Sequence, residues 1–229
     1  MILRSVIRHV RDQNWFAVGL DFLIVVVGVF IGIQVSNWND QRAAGQQRDL
    51  IVEALINDIR DHIAVQNRFV DRIDADFKAW EQARAAGQRP DPVVFRIEGS
   101  DSAPDTWGTL RQMPVATLLD PASAVMLSYY YSELDGLSAK FIRYVGFVED
   151  RILPYLDSNA EFFYTDEGDL KRPYRASMDR LREHRAELVR MTAWAECIVG
   201  QLDADGLLGS NCSRSEFGLD DPIARSSIQ

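Results

Sequence analysis

The chain has 229 residues, of which 47% are hydrophobic and 26% are charged. This is an average globular composition, and it argues against a disordered chain, a collagen-like repeat and a polytopic membrane protein. The formal net charge is -9, with 34 acidic against 25 basic residues and no basic stripe, so we expect no nucleic-acid partner.

The first predicted element is a membrane-spanning helix. Residues 16–35 are apolar except for Asp21 and Gln34, and about twenty apolar residues are what a helix needs to cross the hydrocarbon core. Trp15 and Trp38 flank this apolar stretch, as aromatic residues do at the two membrane interfaces. We therefore expect the chain to be anchored in a membrane by this helix.

A buried core helix and a cleaved signal peptide are the alternative interpretations of the apolar stretch. Residues 22–35 contain one polar residue and lie close to the N-terminus, which favours a span over a core helix. A signal peptide requires a pattern of small residues for cleavage soon after the apolar run. The first such pattern is Ala43-Ala44-Gly45, well beyond Trp38, so we predict an uncleaved anchor.

The charges on either side of the span predict its orientation. Three arginines precede it, and the two that follow it are offset by acidic residues. The positive-inside rule then makes residues 1–14 a cytoplasmic segment and residues 15–38 the transmembrane helix, with the rest of the chain on the outer side.

One face of the predicted span carries a carboxylate and two glycines. Asp21 costs roughly 3 kcal/mol at the centre of a span and less near an interface. Asp21, Gly28 and Gly32 lie within about 40° of one another on a helix, and the two glycines have the spacing that lets backbones approach closely. We interpret this Asp21 face as a packing surface for a second copy, which would form a homodimer, or for the span of a membrane-protein partner. Glycines that simply face lipid are the alternative.

Residues 18–40 read VGLDFLIVVVGVFIGIQVSNWND. They resemble the signature of a family of uncharacterised bacterial single-span membrane proteins, which form a domain of unknown function. The shared features are the acidic residue that opens the span, the mid-span glycine and the SNWND exit, although Gly32 stands where alanine is usual. The resemblance implies a membrane protein of unknown function, and it supplies no catalytic residue and no cofactor.

We expect Trp15, Asn37, Trp38 and Asn39 to lie at the membrane interface. Together with the orientation given above, the resemblance implies a bacterial inner membrane crossed once, and we expect the N-terminus in the cytoplasm and the C-terminal domain in the periplasm.

Three long amphipathic helices are predicted after this junction. In the first, apolar residues recur at three- and four-residue steps from residue 52 to residue 80, with Gln66 as the polar interruption, and the helix should run from about 39 to 86. The second opens at Asp120-Pro121, an N-cap followed by proline at the first helical position, and continues to Pro154. The third begins at Pro173.

The remaining segments are predicted to be short. Residues 93–97 suggest one strand, residues 106–112 a short helix, and residues 213–229 a flexible tail. The predicted fold class is therefore mainly α, with one N-terminal transmembrane helix and a bundle-like, long-helix extramembrane domain at residues 39–212.

Cys197 and Cys212 are the only cysteines. A structural disulfide is expected if the domain lies outside the cytoplasm, and two free thiols are the alternative. A redox or metal pair is disfavoured, because the spacing is not Cys-x-x-Cys and no histidine lies nearby.

The sequence contains no reaction signature, and we expect no cofactor, no metal and no catalytic residue. None of the three histidines has a metal-ligand spacing, and no nucleophile, phosphate-loop or dinucleotide motif is present. His184 lies among charged residues and is expected on a solvated helical face.

Three functions remain open from the sequence. The preferred one is a single-span membrane protein that acts through protein contacts of its periplasmic helical domain. The alternative is a periplasmic ligand-binding sensor without its own output domain, in which aromatic residues line a pocket; they are Tyr129, Tyr130, Tyr131, Phe162, Phe163 and Tyr164. A membrane-anchored hydrolase is the third, and it would need an acid, a base and a nucleophile in one cleft.

Overall fold

The computed structural model describes residues 15–96, 106–112, 119–156, 160–205, 208 and 212–219. The α-helices among these residues are α1 Trp15–Ala85, α2 Thr106–Arg111, α3 Pro121–Arg151 and α4 Arg172–Asp205, of which α2 is short and the other three are long. Short 3-10 helices occupy Leu153–Tyr155, Ala160–Phe163 and Arg214–Phe217. Within these described ranges there is no β-strand, and the mainly α class is confirmed. The predicted cytoplasmic segment, residues 1–14, lies outside them.

The chain divides into two compact units, Met1–Arg48 and Asp49–Gln229, and α1 contributes residues to both. In the first unit, the described apolar side chains of residues 16–35 are between 43% (Val18) and 78% (Phe16) exposed. The most apolar window of α1 has a mean hydropathy of 2.4, and none of it is buried within the protein. By length and composition, this helix is compatible with a membrane span.

The second unit, which we call the bundle, packs α3 and α4 against the later part of α1. Apolar residues of α1 from Ile51 to Phe77 are buried at the helical spacing predicted from the sequence. The largest fully buried side chains come from all three long helices and the short connections, and include Leu55, Ile59, Ile73, Leu127, Tyr130, Phe163, Met178, Leu181, Met191, Trp194 and Ile198.

Glycine follows the end of α1, which lies within one residue of the predicted boundary at about residue 86. Gly87 adopts a left-handed conformation with φ of 79°, which a residue with a Cβ rarely adopts. Its N–H donates to the carbonyl of Arg84 at 2.9 Å, and the N–H of Ala86 donates to Gln82 at 3.0 Å. These bonds satisfy carbonyls at the end of the helix.

The predicted strand at residues 93–97 is wrong for its described part, residues 93–96, which are irregular. Val93 and Phe95 are buried against the helices, and the N–H of Phe95 donates to the hydroxyl of Tyr144 at 3.2 Å. The alternating apolar pattern therefore reflects packing on helices, because no second strand is present among the described residues to pair with this segment.

Asp120 caps α3 at the predicted position. One carboxylate oxygen accepts the N–H groups of Ala122 and Ser123, each at 3.0 Å, and the other accepts the hydroxyl of Ser123. The hydroxyl bond, followed by the backbone bonds, lowers the pKa of Asp120. Pro121 then occupies the first helical position, where its missing N–H leaves no bond unmade.

The first part of the predicted flexible tail is folded. Residues 214–217 form a 3-10 helix, Phe217 and Leu219 pack against the core, and Arg214 forms a 2.6 Å ion pair with Glu133 of α3. Phe217 and Leu219 explain why this segment is folded although a flexible tail was predicted, because they give it apolar surface to bury. Residues 220–229 lie outside the described part of the chain.

Candidate functional site

The Asp21 face is open along the apolar stretch of α1. Asp21, Gly28 and Gly32 are all exposed, and a Cβ added at either glycine would meet no atom within 4 Å. This face has the shape that close helix packing requires, namely small residues with free space above them.

The predicted interface residues follow on the same helix. Asn37, Trp38 and Asn39 are exposed, and Trp38 is 63% exposed. The guanidinium of Arg42 lies 5.9 Å from the centre of the Trp38 ring, within cation–π distance. An indole beside a cation one turn away suits a position between apolar and polar surroundings. Trp15 is the first residue of α1, and its side chain lies outside the described part of the structure.

Cys197 and Cys212 form a disulfide, with their Cα atoms 5.8 Å apart. Cys212 is fully buried, and its carbonyl accepts the indole N–H of Trp194 at 2.9 Å. The bond therefore attaches the C-terminal segment to α4 next to the most deeply buried tryptophan. Two free thiols, the alternative left open by the sequence, are not what the structure contains.

A partly buried polar cluster joins α1 to α3, and sequence reasoning missed it. The hydroxyl of Tyr131 donates to Asp58 at 2.7 Å, and His62 Nδ1 lies 3.8 Å from the same carboxylate oxygen. Trp107 stacks on Tyr131 with ring centres 5.0 Å apart. Burial, followed by the bond to Asp58, raises the pKa of Tyr131. The available signal was the position of Asp58 and His62, four residues apart beside the apolar stripe of α1.

The aromatic residues suggested for a sensor pocket are scattered between core and surface. Tyr130 is fully buried and packs edge-on against Trp194, and Phe163 and Tyr164 are also core residues. Tyr129 is 54% exposed on the outside of α3, while Phe162 stacks on Tyr155 with ring centres 4.1 Å apart. These side chains therefore do not converge on one pocket.

His184 is buried, contrary to the solvated face predicted for it. It stacks on Phe141 with ring centres 4.6 Å apart, and burial lowers the pKa of His184 to about 4. The ring is therefore neutral near pH 7 and fills the core. Its spacing from Leu181 and Leu188, three and four residues away, was the signal for this position.

Gln66, the polar interruption in the apolar stripe of α1, is also buried. Its side-chain carbonyl accepts the hydroxyl of Thr192 at 2.9 Å, across 126 residues of sequence. A bond of this kind fixes the register of α1 against α4, because a shift of either helix would bury unpaired polar groups.

A groove between α1 and α4 is lined by side chains that already pair with one another, and it has a volume of 460 Å³. Asp74 and Arg185 form two hydrogen bonds across it, at 2.6 and 2.9 Å, and Arg182 lies 4.2 Å from the Phe77 ring. These contacts hold two helices together. Among the described residues, no group of three or more His, Cys, Asp or Glu side chains is placed to hold a metal.

Comparison of the chain with protein-family models, curated proteins and solved structures finds no match. The described geometry defines a mainly helical protein with one long apolar helix near its N-terminus and a disulfide-closed helical bundle.

Proposed function

We propose that this chain is a single-span membrane protein whose helical domain works through contacts with other proteins. The observation that carries the proposal is the contrast within α1. None of its most apolar window is buried in the protein. The apolar stripe of the same helix between Ile51 and Phe77 is instead covered within the bundle. Leaving the eighteen apolar residues between positions 16 and 35 in water is costly, and lipid removes that cost.

We also propose that the bundle lies in the periplasm and that the chain is similar to the family of bacterial single-span proteins named above. The Cys197–Cys212 disulfide supports this location, since such bonds persist in oxidising compartments. The arginines before the apolar stretch support the same orientation. Protease added to spheroplasts tests the orientation: it should digest the bundle, while a cytoplasmic control protein stays intact. An undigested bundle would contradict the periplasmic location.

The outward face of α3 is the surface best suited to protein contacts. Val125 and Tyr129 lie one turn apart and are 53% and 54% exposed. Ser132, Gly136 and Ala139 continue the same face as small exposed residues. Ile142, also on α3, is 59% exposed and lies about 100° around the helix from Val125. The outside of a soluble helix is usually charged, so large exposed apolar side chains on one helix indicate a contact surface.

Crosslinking in intact membranes, followed by affinity purification and mass spectrometry, tests this role. A protein recovered in stoichiometric amount with the wild-type chain should be lost with Val125→Glu/Tyr129→Glu. It should be retained with Val189→Glu, which changes an exposed apolar residue of α4. Equal recovery with both variants would exclude the α3 face. Recovery of the chain alone would overturn the proposed role.

A further inference from the structure

Among the described residues around Asp21 in α1, none carries a basic side chain. Asp21 lies within the apolar stretch, and the residues three and four positions before and after it are all apolar. No arginine, lysine or histidine occurs anywhere from residue 15 to residue 41. A charge or polar group at membrane depth usually faces protein and pairs with a partner.

The surface around Asp21 is ready to accept a second helix. Gly28 and Gly32 share its face and have open space above them. They lie two and three turns beyond Asp21, so a helix packed over the glycines would also pass close to the carboxylate.

We propose that the Asp21 face binds the span of a different membrane protein, and that this span offers a basic side chain to Asp21. The inference rests on the proposed membrane location and adds a partner inside the bilayer to the contacts of the bundle. The glycines allow close approach of the two backbones, and the charge of Asp21 selects the partner.

Charge is the reason for choosing a different protein over a second copy. Symmetric pairing of two parallel copies through this face places both Asp21 carboxylates at the same depth on the same side of the contact. Two carboxyl groups side by side in a low-dielectric medium cannot both carry a charge, so this pairing requires one of them to be protonated, and the face contains no basic residue to compensate. A span with an arginine or lysine at that depth removes the conflict.

The test is photocrosslinking of the full-length chain in native membranes. A benzophenone side chain is placed at Val25, about 40° from Asp21 on the helix, or at Phe30, about 180° away. We expect an adduct from position 25 and none from position 30. The attached peptide should come from one membrane protein whose span contains arginine or lysine.

Substitutions then show whether the charge and the glycines carry the contact. Asp21→Leu and Gly28→Leu should each lower the adduct yield by about tenfold, the weight of one good contact between spans. Asp21→Glu, which keeps the carboxylate, should lose much less of the adduct than Asp21→Leu, and the opposite-face control Phe30→Leu should leave the yield unchanged. Asp21→Arg should abolish the adduct, and exchange of the partner's basic residue for aspartate should restore it.

Four results would overturn the inference: an adduct with a second copy of the chain, equal yields from positions 25 and 30, no effect of Asp21→Leu, or a captured span without a basic residue. Membrane fractionation separates this failure from failure of the proposed function. A chain that stays in the membrane yet gives no adduct contradicts only the partner span. A chain that does not sediment with membranes contradicts both.

Discussion

Two stretches of α1 are rich in apolar side chains, but only one of them buries these side chains within the protein. Apart from Asp21 and Gln34, residues 16–35 are apolar around the whole helix, and their described large side chains are exposed. From Ile51 to Phe77, most of the large apolar side chains occupy one stripe and are buried or half-buried. The stripe repeats at three- and four-residue steps, and most other positions are polar or alanine. Helix propensity therefore does not distinguish the two stretches, since both are helical, and the angular distribution of apolar residues does.

The comparison shows what kind of surroundings can cover the apolar side chains of each stretch. A one-sided stripe is completed by helices of the same chain, here α3 and α4. An all-round apolar surface cannot be covered by one or two helices, so its surroundings have to be apolar on every side. The predictions that follow change one stretch at a time and ask whether the other responds.

The largest effect is expected from charges placed in the apolar stretch. Ile24→Arg/Val27→Arg should release the chain from carbonate-washed membranes, because two arginines in a span cost about 6 kcal/mol together. The bundle should keep its helical circular dichroism. The matched control Val125→Arg/Val189→Arg changes exposed residues of the bundle and should leave fractionation unchanged. A doubly substituted chain that stays in the washed membranes would contradict the span.

The next effect is expected from the bundle core. Trp194→Ala removes a fully buried ring and its bond to the Cys212 carbonyl, so it should lower the free energy of unfolding by about 3–5 kcal/mol. Tyr129→Ala, on the exposed side of α3, should change it by less than about 0.5 kcal/mol. Urea denaturation of the full chain in mild detergent measures both. Similar losses in the two variants would show that Trp194 is not a core residue.

Loss of the disulfide should come third. The two cysteines are 15 residues apart, and closing a loop of that length contributes about 3 kcal/mol. Cys197→Ser/Cys212→Ser should therefore lower the urea midpoint. Dithiothreitol should lower the wild-type midpoint to that of the double variant, and it should not affect the variant itself. A wild-type midpoint that ignores the reductant would argue against the bond.

The smallest expected effect is a pH dependence due to His184. Burial lowers its pKa to about 4 in the folded chain, below the ordinary 6.5. The unfolded chain therefore takes up the proton first as pH falls. The full stability is present above pH 6.5 and is lost toward pH 4, by about 2 kcal/mol at pH 5.

His184→Gln isolates this contribution from that of other titrating groups. The wild-type free energy of unfolding minus that of the variant should be constant above pH 7. It should fall as the pH drops from 6.5 to 4, by about 2 kcal/mol at pH 5. A constant difference over that window would show that the buried histidine does not titrate on unfolding.

Much of the fold could be predicted from the sequence because its signals are local. The stripe of α1, the Gly87 end and the Asp120-Pro121 start each depend on residues a few positions apart, and each has the predicted helix boundary within a residue or two. The apolar stretch is recognisable from composition alone.

The features that the sequence did not predict depend on distant residues. Residues 93–96 have a strand-like alternation, yet a strand needs a neighbour that only the tertiary fold can supply or withhold. His184 looked solvated because its immediate neighbours are charged, although Phe141 of α3 covers it. The Asp58–Tyr131 bond joins residues 73 positions apart. Pairings at that range leave no periodic signal in one sequence.

The bond between Gln66 and Thr192 has a consequence for the timing of biogenesis. At usual synthesis rates of 5–20 residues per second, roughly 6 to 25 s separate the appearance of these two residues. During that interval α1 exists without α4, and its apolar stripe is uncovered while the chain is still being made. Cys212 is synthesised later still, so the covalent bond can only follow. The incomplete chain is therefore most prone to aggregation in this interval, because apolar surface exposed before folding is complete drives aggregation.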